Sequence, residues 1–269
     1  MNRAELADAL RRRRYLADDG LVTAIHLAGK LELPLLLEGE PGVGKTEVAT
    51  ALSQVSGRTL VRLQCYEGLD AAHALYEWDY PKQLLQLKSG ADIYSAPFLL
   101  ERPLLAALRT PSVLLIDEID RADAEFEAFL LEFLADFRIT IPELGPVHAG
   151  TPPIVVLTSN RTRDLHDALK RRCLYHWIPY PDAAREREIV RVKAPGLDTE
   201  SARRLVDAVN AVRDLGPVKR PGIAESIAWA RGAQVLTDEG VPWPDALRRA
   251  LGLLVKYEED VRLAQGVLT

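Results

Sequence analysis

The feature that most constrains this chain is a glycine-rich stretch, Gly39–Thr46, which fits the spacing G-x-x-x-x-G-K-[ST]. Glycines let a backbone wrap closely around an anion, because no Cβ stands in the way. The stretch lies between an apolar run, Leu35–Glu38, and a helical pattern, Thr46–Ser53. This order of strand, loop and helix gathers backbone N–H groups at a helix N-terminus. The sequence therefore predicts a phosphate-binding loop, and a simple glycine-rich turn is the alternative.

The residues that end the loop suit a triphosphate that carries a cation. Lys45 adds a point charge for the β- and γ-phosphates, and the Thr46 hydroxyl is a candidate Mg²⁺ ligand. We expect ATP as the nucleotide, although a loop of this kind does not reveal the base. The residues expected to contact it are Gly39, Glu40, Pro41, Gly42, Val43, Gly44, Lys45, Thr46 and Glu47.

A second candidate element is a pair of acids, Asp117 and Glu118, that ends the apolar run Val113–Ile116. Carboxylates at the end of a buried strand are costly unless they meet a cation or water. Asp117 is expected to hold the Mg²⁺ shell, and Glu118 to orient and polarise the attacking water. Alone, the pair could be a strand cap, but its place downstream of the glycine-rich loop favours a shared site.

Two further elements lie closer to the C-terminus. Asn160 follows the apolar run Ile154–Thr158, and ligands of parallel sheets sit at the carboxyl ends of the strands. We expect Asn160 beside the γ-phosphate or the water, with a turn residue as the alternative. Arg171 and Arg172 close a helix before the last apolar run. They are either a helix-dipole cap or an arginine finger for a neighbouring subunit's ATP.

The order of apolar runs and helical patterns predicts an α/β fold followed by a small helical domain. Five short runs are apolar on both faces, as buried parallel strands are: Leu35–Glu38, Thr59–Gln64, Val113–Ile116, Ile154–Thr158 and Leu174–Ile178. After Pro181 only helical periods remain: Ala183–Lys193, Thr199–Leu215, Ile223–Leu236 and Pro244–Tyr257. We expect a nucleotide-binding domain over residues 1–181 and a helical lid over residues 182–269.

Composition narrows the class of protein. Hydrophobic residues make up 48% of the chain and the net charge is −5, which supports a packed core and argues against a protein that coats nucleic acid. No stretch approaches the ~18 apolar residues of a membrane span, so we expect a cytoplasmic protein. Cys65 and Cys173 are expected to be small buried residues rather than a disulfide or a metal pair.

These motifs resemble the AAA+ superfamily and, within it, the MoxR family. The resemblance rests on Glu38–Thr46, Leu115–Ala122 and Thr158–Asn160, while Arg62–Asp70 and Trp78–Leu84 are similar to the CoxD-like branch. It implies a parallel five-stranded sheet in the order 5-1-4-3-2, a helical lid and a homo-oligomeric ring, usually a hexamer. It also implies a hairpin between residues 139 and 153.

The resemblance assigns roles to two basic regions. The family's finger lies just before the last strand, which favours Arg172 over Arg171. The family often has a lid arginine that senses the γ-phosphate. The matching region here, Lys219–Glu225, places Glu225 or a neighbour at that position, and Arg220 is a candidate substitute.

The resemblance also implies a function. MoxR proteins resemble chaperones and act with a partner that carries a von Willebrand A-type domain. The CoxD-like branch is associated with maturation of molybdenum hydroxylases such as carbon monoxide dehydrogenase, so a client metalloenzyme of that class is expected. The alternatives are an ATPase that acts on nucleic acid as a motor or clamp-loader relative, and a GTPase or a nucleotide-gated scaffold that does not hydrolyse.

Overall fold

The computed structural model describes residues 1–86 and 92–267, which form two compact units. The first unit contains Met1–Gly39 and Lys45–Ile178. The second contains Glu40–Gly44 and the residues from Pro179 onward. Most of the glycine-rich loop therefore groups with the helical C-terminal region, whereas Lys45 and Thr46 belong to the sheet-containing unit.

The first unit is built of strands and helices in alternation. Its strands are β1 (Leu35–Glu38), β2 (Thr59–Gln64), β3 (Tyr76–Trp78), β4 (Leu99–Glu101), β5 (Ser112–Asp117), β6 (Arg138–Ile141), β7 (Gly145–His148), β8 (Ile154–Ser159) and β9 (Leu174–Trp177). Its helices are α1 (Arg3–Arg12), α2 (Asp19–Leu31), α3 (Lys45–Ser56), α4 (Ala71–Leu75), α5 (Tyr80–Gln86), α6 (Pro103–Arg109), α7 (Ala124–Asp136) and α8 (Asp167–Arg172).

Five of these strands form one parallel sheet in the order β2-β5-β8-β1-β9. Numbering only these five in chain order gives 5-1-4-3-2, so the predicted α/β fold and strand order are confirmed. Every residue of β1 and β5 is buried, as their unbroken apolar runs predict. Helices α3 and α6 pack against β5, and helix α2 packs against β1.

The register of the sheet brings the polar ends of the strands to one edge. Gln64 of β2 pairs with Asp117 of β5, and Glu38 of β1 pairs with Ser159 of β8. Because the strands are parallel, the residues that follow them emerge at this same edge. The glycine-rich loop, Glu118 and Asn160 therefore all begin where the sheet ends.

Helix α7 carries the phenylalanine stripe that its sequence shows. Phe126, Leu130 and Phe133 are buried in the core of the first unit, where they pack with sheet residues such as Leu114. The helix ends at Phe137, whose left-handed backbone (φ 44°) forms the C-cap. The stripe therefore belongs to the core of the first unit.

Two small pairs of antiparallel strands lie outside the main sheet. One pairs β6 with β7, which confirms the expected hairpin, although the paired residues end at His148. The other pairs β3 with β4 within the long segment between β2 and β5. The sequence patterns do not reveal the second pair, because strands of three residues are too short to show a period.

The second unit is helical after Pro179. Its helices are α9 (Ala183–Lys193), α10 (Thr199–Asp214), α11 (Ile223–Asp238), α12 (Trp243–Arg249) and α13 (Glu258–Val267). The expected single helix Pro244–Tyr257 is wrong: α12 stops at Arg249, and a short 3₁₀ turn, Leu251–Leu253, follows. Gly252 lies in that turn, where a glycine weakens a continuous helix.

A buried ion pair organises the second unit. Arg213 Nη1 lies 2.6 Å from Glu186 Oε2, Nη2 lies 2.9 Å from Oε1, and both side chains are at least 97% buried. Ser226 donates to the same carboxylate and Pro221 accepts from the same guanidinium. Removing either partner of such a buried pair destabilises the fold strongly, because the remaining charge stays buried without a counter-charge.

The cysteines are free thiols, as expected, with Cys65 fully buried and Cys173 partly so. Burial raises the pKa of both to about 12, and the carboxylate of Asp117 adds to the shift at Cys65. Both thiols are therefore neutral and poorly nucleophilic.

Across residues 1–86 and 92–267, no helix is both long and apolar enough to cross a bilayer.

Candidate nucleotide site

The glycine-rich loop connects β1 to helix α3, which begins at Lys45. Gly42 and Gly44 have positive φ angles of 81° and 91°, a conformation that residues with a Cβ rarely adopt. The Lys45 side chain is buried, and its Nζ donates to the Gly39 carbonyl at 2.6 Å. The motif thus forms a tight turn with the Lys45 ammonium held against its first residue.

Gly42 also approaches the start of helix α11. A Cβ built on Gly42 would lie 3.2 Å from the Cα of Gly222 and 3.5 Å from Glu225 Oε2. Gly222 is constrained in the same way, because its own Cβ would lie 3.2 Å from the Cα of Gly42. Two facing glycines therefore let the loop and the first turn of α11 pack backbone to backbone.

Asp117 is the centre of a buried cluster of hydroxyl groups. Thr158 Oγ1 donates to Asp117 Oδ1 at 2.5 Å, and Thr46 Oγ1 lies 3.1 Å from the same oxygen. The Asp117 side chain is only 4% exposed. Helix α3, strand β5 and strand β8 each contribute one group, so the sheet register and the first turn of α3 together fix the cluster.

These donors fit the cation that the motif implies. Magnesium prefers hard oxygen ligands and keeps several of its waters and the substrate's phosphates, so few protein ligands are needed. Thr46 and Asp117 offer a hydroxyl and a carboxylate in contact with each other. Within the described residues no group of three or more His, Cys, Asp or Glu side chains is placed to hold an ion by itself.

Glu118 has an uncommon backbone conformation and defined partners. It lies in the left-handed region with φ 55° and ψ 50°, which is uncommon for a residue with a side chain and often marks functional sites. Its N–H donates to Thr158 Oγ1 at 2.9 Å. Its Oε2 accepts from Gln64 Nε2 at 3.0 Å and lies 3.4 Å from Arg121 Nη1.

Asn160 begins a loop that Asp120 holds in place. Asp120 Oδ2 accepts from the backbone N–H of Asn160 at 3.2 Å and from the N–H and hydroxyl of Thr162 at 2.8 and 2.7 Å. Burial acts to raise the pKa of Asp120, but these hydrogen bonds outweigh it and hold the pKa below 3.8. The loop after β8 is thereby tied to the segment after β5.

The basic residues proposed as a finger lie elsewhere in the first unit. Arg171 and Arg172 end helix α8 with exposed side chains, and Arg172 Nη1 donates to the Leu131 carbonyl. Neither contacts the cluster around Asp117. In the second unit, Arg220 stacks over the Tyr180 ring, 5.9 Å from its centroid, and Glu225 Oε2 accepts from the Gly222 N–H as a helix cap.

Four residues of the cluster were not assigned roles from sequence: Arg62, Gln64, Asp120 and Thr158. Arg62 and Gln64 could have been found from the alternation of polar residues on β2, together with the strand order that sets β2 beside β5. The signal for Thr158 was a hydroxyl buried at the end of an otherwise apolar strand. Without the register, neither pattern tells which side chains meet.

Comparison with known proteins places this site in a family. Residues 34–173, 140 of the 269, match the family model described as AAA domain, dynein-related subfamily. Protein NorQ of Paracoccus denitrificans is 26% identical over 261 residues, which cover 94% of this chain and 90% of NorQ. An uncharacterized protein of Staphylococcus aureus (strain bovine RF122 / ET3-1) is 25% identical over 242 residues, 87% of each chain.

Solved structures show the same fold. The structure titled Thermotoga maritima RuvB Holliday junction branch migration motor matches with a TM-score of 0.51 at 17% identity, over 91% of this chain and 68% of RuvB. At this identity the likeness concerns the fold alone. The family match spans the glycine-rich loop, both acids and Asn160. The chain therefore belongs to the AAA domain family, in its dynein-related subfamily.

Proposed function

We propose that this chain binds ATP with Mg²⁺ and hydrolyses it, as a MoxR-type AAA+ ATPase that remodels a partner protein. The observation that carries the proposal is the contact between Thr46 of the glycine-rich loop and Asp117 of strand β5, with Glu118 as the next residue. One hydrogen-bonded cluster thus joins the phosphate-binding motif to the two acids. Family membership supports nucleotide hydrolysis as its purpose.

In the proposed mechanism each group has one task. The loop glycines and Lys45 bind the phosphates, through backbone N–H groups and one ammonium. Thr46 and Asp117 would hold Mg²⁺, which supplies charge neutralisation between the β- and γ-phosphates when bound. Glu118 accepts a proton from the attacking water and orients it. Asn160, at the end of β8, would position the water or the γ-phosphate.

The assembly and the partner are part of the same proposal. Arg172, or Arg171 beside it, would complete the site of the neighbouring subunit in a homo-oligomeric ring such as a hexamer. Both side chains are exposed and lie away from the Asp117 cluster, which supports a role in another subunit's site. The resemblance to the CoxD-like branch supports a von Willebrand A-domain partner and a molybdenum hydroxylase client.

Nucleotide binding can be tested with a matched pair of lysine variants. Calorimetric titration with ATP and with GTP, each with Mg²⁺, should show ATP binding to the wild type and to Lys30→Ala, which removes an exposed lysine on α2. Lys45→Ala should weaken binding at least about tenfold, because it removes the charge facing the phosphates. Equal ATP affinity in both variants would contradict the role of Lys45, and a preference for GTP would contradict ATP as the substrate.

The partner can be tested with a variant that holds ATP without splitting it. Glu118→Gln would be used as bait in the presence of ATP and Mg²⁺, and Lys45→Ala as the control that cannot retain nucleotide. Recovery of a von Willebrand A-domain protein or a molybdenum hydroxylase with the first bait only would support the remodelling function. Recovery of nucleic acid alone would favour a nucleic-acid motor instead.

A further inference from the structure

Arg62 makes a contact that neither the fold nor the proposed mechanism requires. It lies on the edge strand β2, and its side chain is 53% exposed. Even so, its guanidinium Nη2 reaches the buried carboxylate of Asp117, 2.5 Å from Oδ2, and also donates to Gln64 Oε1 at 2.6 Å. A long, half-exposed side chain loses rotational freedom when it is held in this way, and the two contacts must offset that loss of entropy.

The two oxygens of Asp117 have different partners. Oδ1 accepts from the hydroxyls of Thr158 and Thr46, which are neutral donors. Oδ2 faces the guanidinium of Arg62 at 2.5 Å, with the Thr46 hydroxyl farther away at 3.4 Å. A divalent cation that binds Asp117 next to Thr46 would therefore meet a positive charge already bound to the same carboxylate. Two cations that share one carboxylate repel each other, and the guanidinium already occupies Oδ2.

Arg62 is also linked to Glu118 through Gln64. An amide side chain has one accepting and one donating end. With its Oε1 held by Arg62, the Gln64 amide presents Nε2 to Glu118 Oε2 at 3.0 Å. The four side chains form a continuous series: Asp117, Arg62, Gln64 and Glu118. Arg62 is therefore held by two partners, Asp117 and Gln64.

We propose that Arg62 is a positioning residue that competes with Mg²⁺ for Asp117. When Asp117 takes up the cation, Arg62 swings from Oδ2 into solvent, which its half-exposed position allows. This inference rests on the proposed function, because it requires that MgATP binds at Thr46 and Asp117.

The test measures cation affinity, not turnover. A fluorescent ATP analogue would be bound to each variant first in EDTA and then across a Mg²⁺ titration. Arg62→Ala should bind the analogue in EDTA as the wild type does. Its half-saturating Mg²⁺ concentration should be about tenfold lower, because the cation no longer has to displace the charged hydrogen bond between Arg62 and Asp117. Arg62→Lys, which keeps the charge, should return towards the wild-type value.

The control is Arg58→Ala, which removes the same charge from the residue just before β2, where Nη1 donates to the Pro152 carbonyl. It should leave the Mg²⁺ midpoint unchanged. Gln64→Ala should also leave it unchanged, because Arg62 still holds Asp117. Arg62→Gln provides a second uncharged variant with a long side chain, should Arg62→Ala fold poorly.

The outcomes separate the inference from the proposed function. A Mg²⁺ midpoint that is unchanged or higher in Arg62→Ala and Arg62→Gln, with analogue binding intact, would overturn the inference alone. Weaker binding of both variants in EDTA would also overturn it, because Arg62 would then be a phosphate ligand. Failure of the wild type to bind the analogue under any condition would instead refute the proposed function.

Discussion

The hydroxyl of Thr158 donates to Asp117 Oδ1 at 2.5 Å and accepts from the Glu118 N–H at 2.9 Å, so one side chain of β8 holds both acids at the end of β5. Thr158 is buried, with only 1% of the residue exposed to solvent. Water therefore cannot replace it if it is removed. The geometry of the candidate catalytic pair depends on a residue of the neighbouring strand.

Thr158→Val keeps the shape of this side chain and removes its hydroxyl. We expect a loss of about 1–3 kcal/mol in the free energy of unfolding, because a buried N–H and a buried carboxylate oxygen each lose a partner. Thr158→Ser should retain most of the stability and the ATP turnover. Urea denaturation of the three proteins is the measurement. A Thr158→Val protein as stable as wild type would contradict the importance of this hydroxyl.

Gly42→Ala should be more damaging than Gly57→Ala, although both residues have positive φ angles of 81° and 69°. Alanine in this conformation costs roughly 1–2 kcal/mol at either site. Only at Gly42 does the added Cβ also meet backbone, 3.2 Å from the Cα of Gly222, whereas nothing lies within 4 Å at Gly57. Thermal denaturation and ATP affinity should both decrease more for Gly42→Ala. Equal losses would mean that the approach to Gly222 is unimportant.

Asp120 should make the stability of the first unit depend on pH. Its folded pKa is lowered, so its charged form stabilises the fold above the ordinary value of 3.8, and the contribution is lost as pH falls through the folded pKa. Asp120→Asn should be less stable than wild type by about 1–2 kcal/mol at pH 7, since the hydrogen bonds lose their charge assistance. The difference in the free energy of unfolding between Asp120→Asn and wild type should become smaller below pH 3.8. A gap independent of pH between 7 and 3 would contradict this account.

Arg172 should act in a neighbouring subunit, and mixing variants can show this. Arg172→Ala and Glu118→Gln should each be inactive in ATP hydrolysis alone. In an equal mixture, about a quarter of the interfaces of a ring would combine an intact Glu118 with an intact Arg172, and turnover should reappear. Arg171→Ala replaces Arg172→Ala in a parallel mixture, to decide between the two arginines. No recovery in either mixture would argue against a shared site.

The fold was largely predictable because its signals are local and strong. All five strands of the main sheet were located to within about a residue or two at either end. The expectation that all five are buried on both faces is wrong for the edge strands β2 and β9, which have a neighbour on one side only and are mostly exposed or half-exposed. The small pair Tyr76–Trp78 with Leu99–Glu101 was missed, since three-residue strands have no readable period. The C-terminal helix boundary was misplaced because Gly252 interrupts an otherwise helical pattern.

The site was predictable where the residues follow a fixed spacing in the chain. Thr46 and Asp117, which the sequence assigns to one site, are in contact at 3.1 Å, while their role as magnesium ligands stays a prediction. Arg62 and Gln64 contact Asp117 and Glu118 from a different strand, across the sheet register. Such contacts depend on which strands are neighbours and on their alignment, which no single stretch of sequence encodes.

Glu118 is proposed to activate water at an ATP site that includes Lys45, Thr46 and Asp117. The most direct measurement is phosphate release from ATP by wild type and Glu118→Gln with Mg²⁺, together with ATP affinity for both proteins. We expect turnover in the wild type, a loss of about a hundredfold or more in Glu118→Gln, and affinities equal within about twofold. Undiminished turnover by Glu118→Gln, or a wild type that binds ATP without hydrolysing it, would contradict the claim.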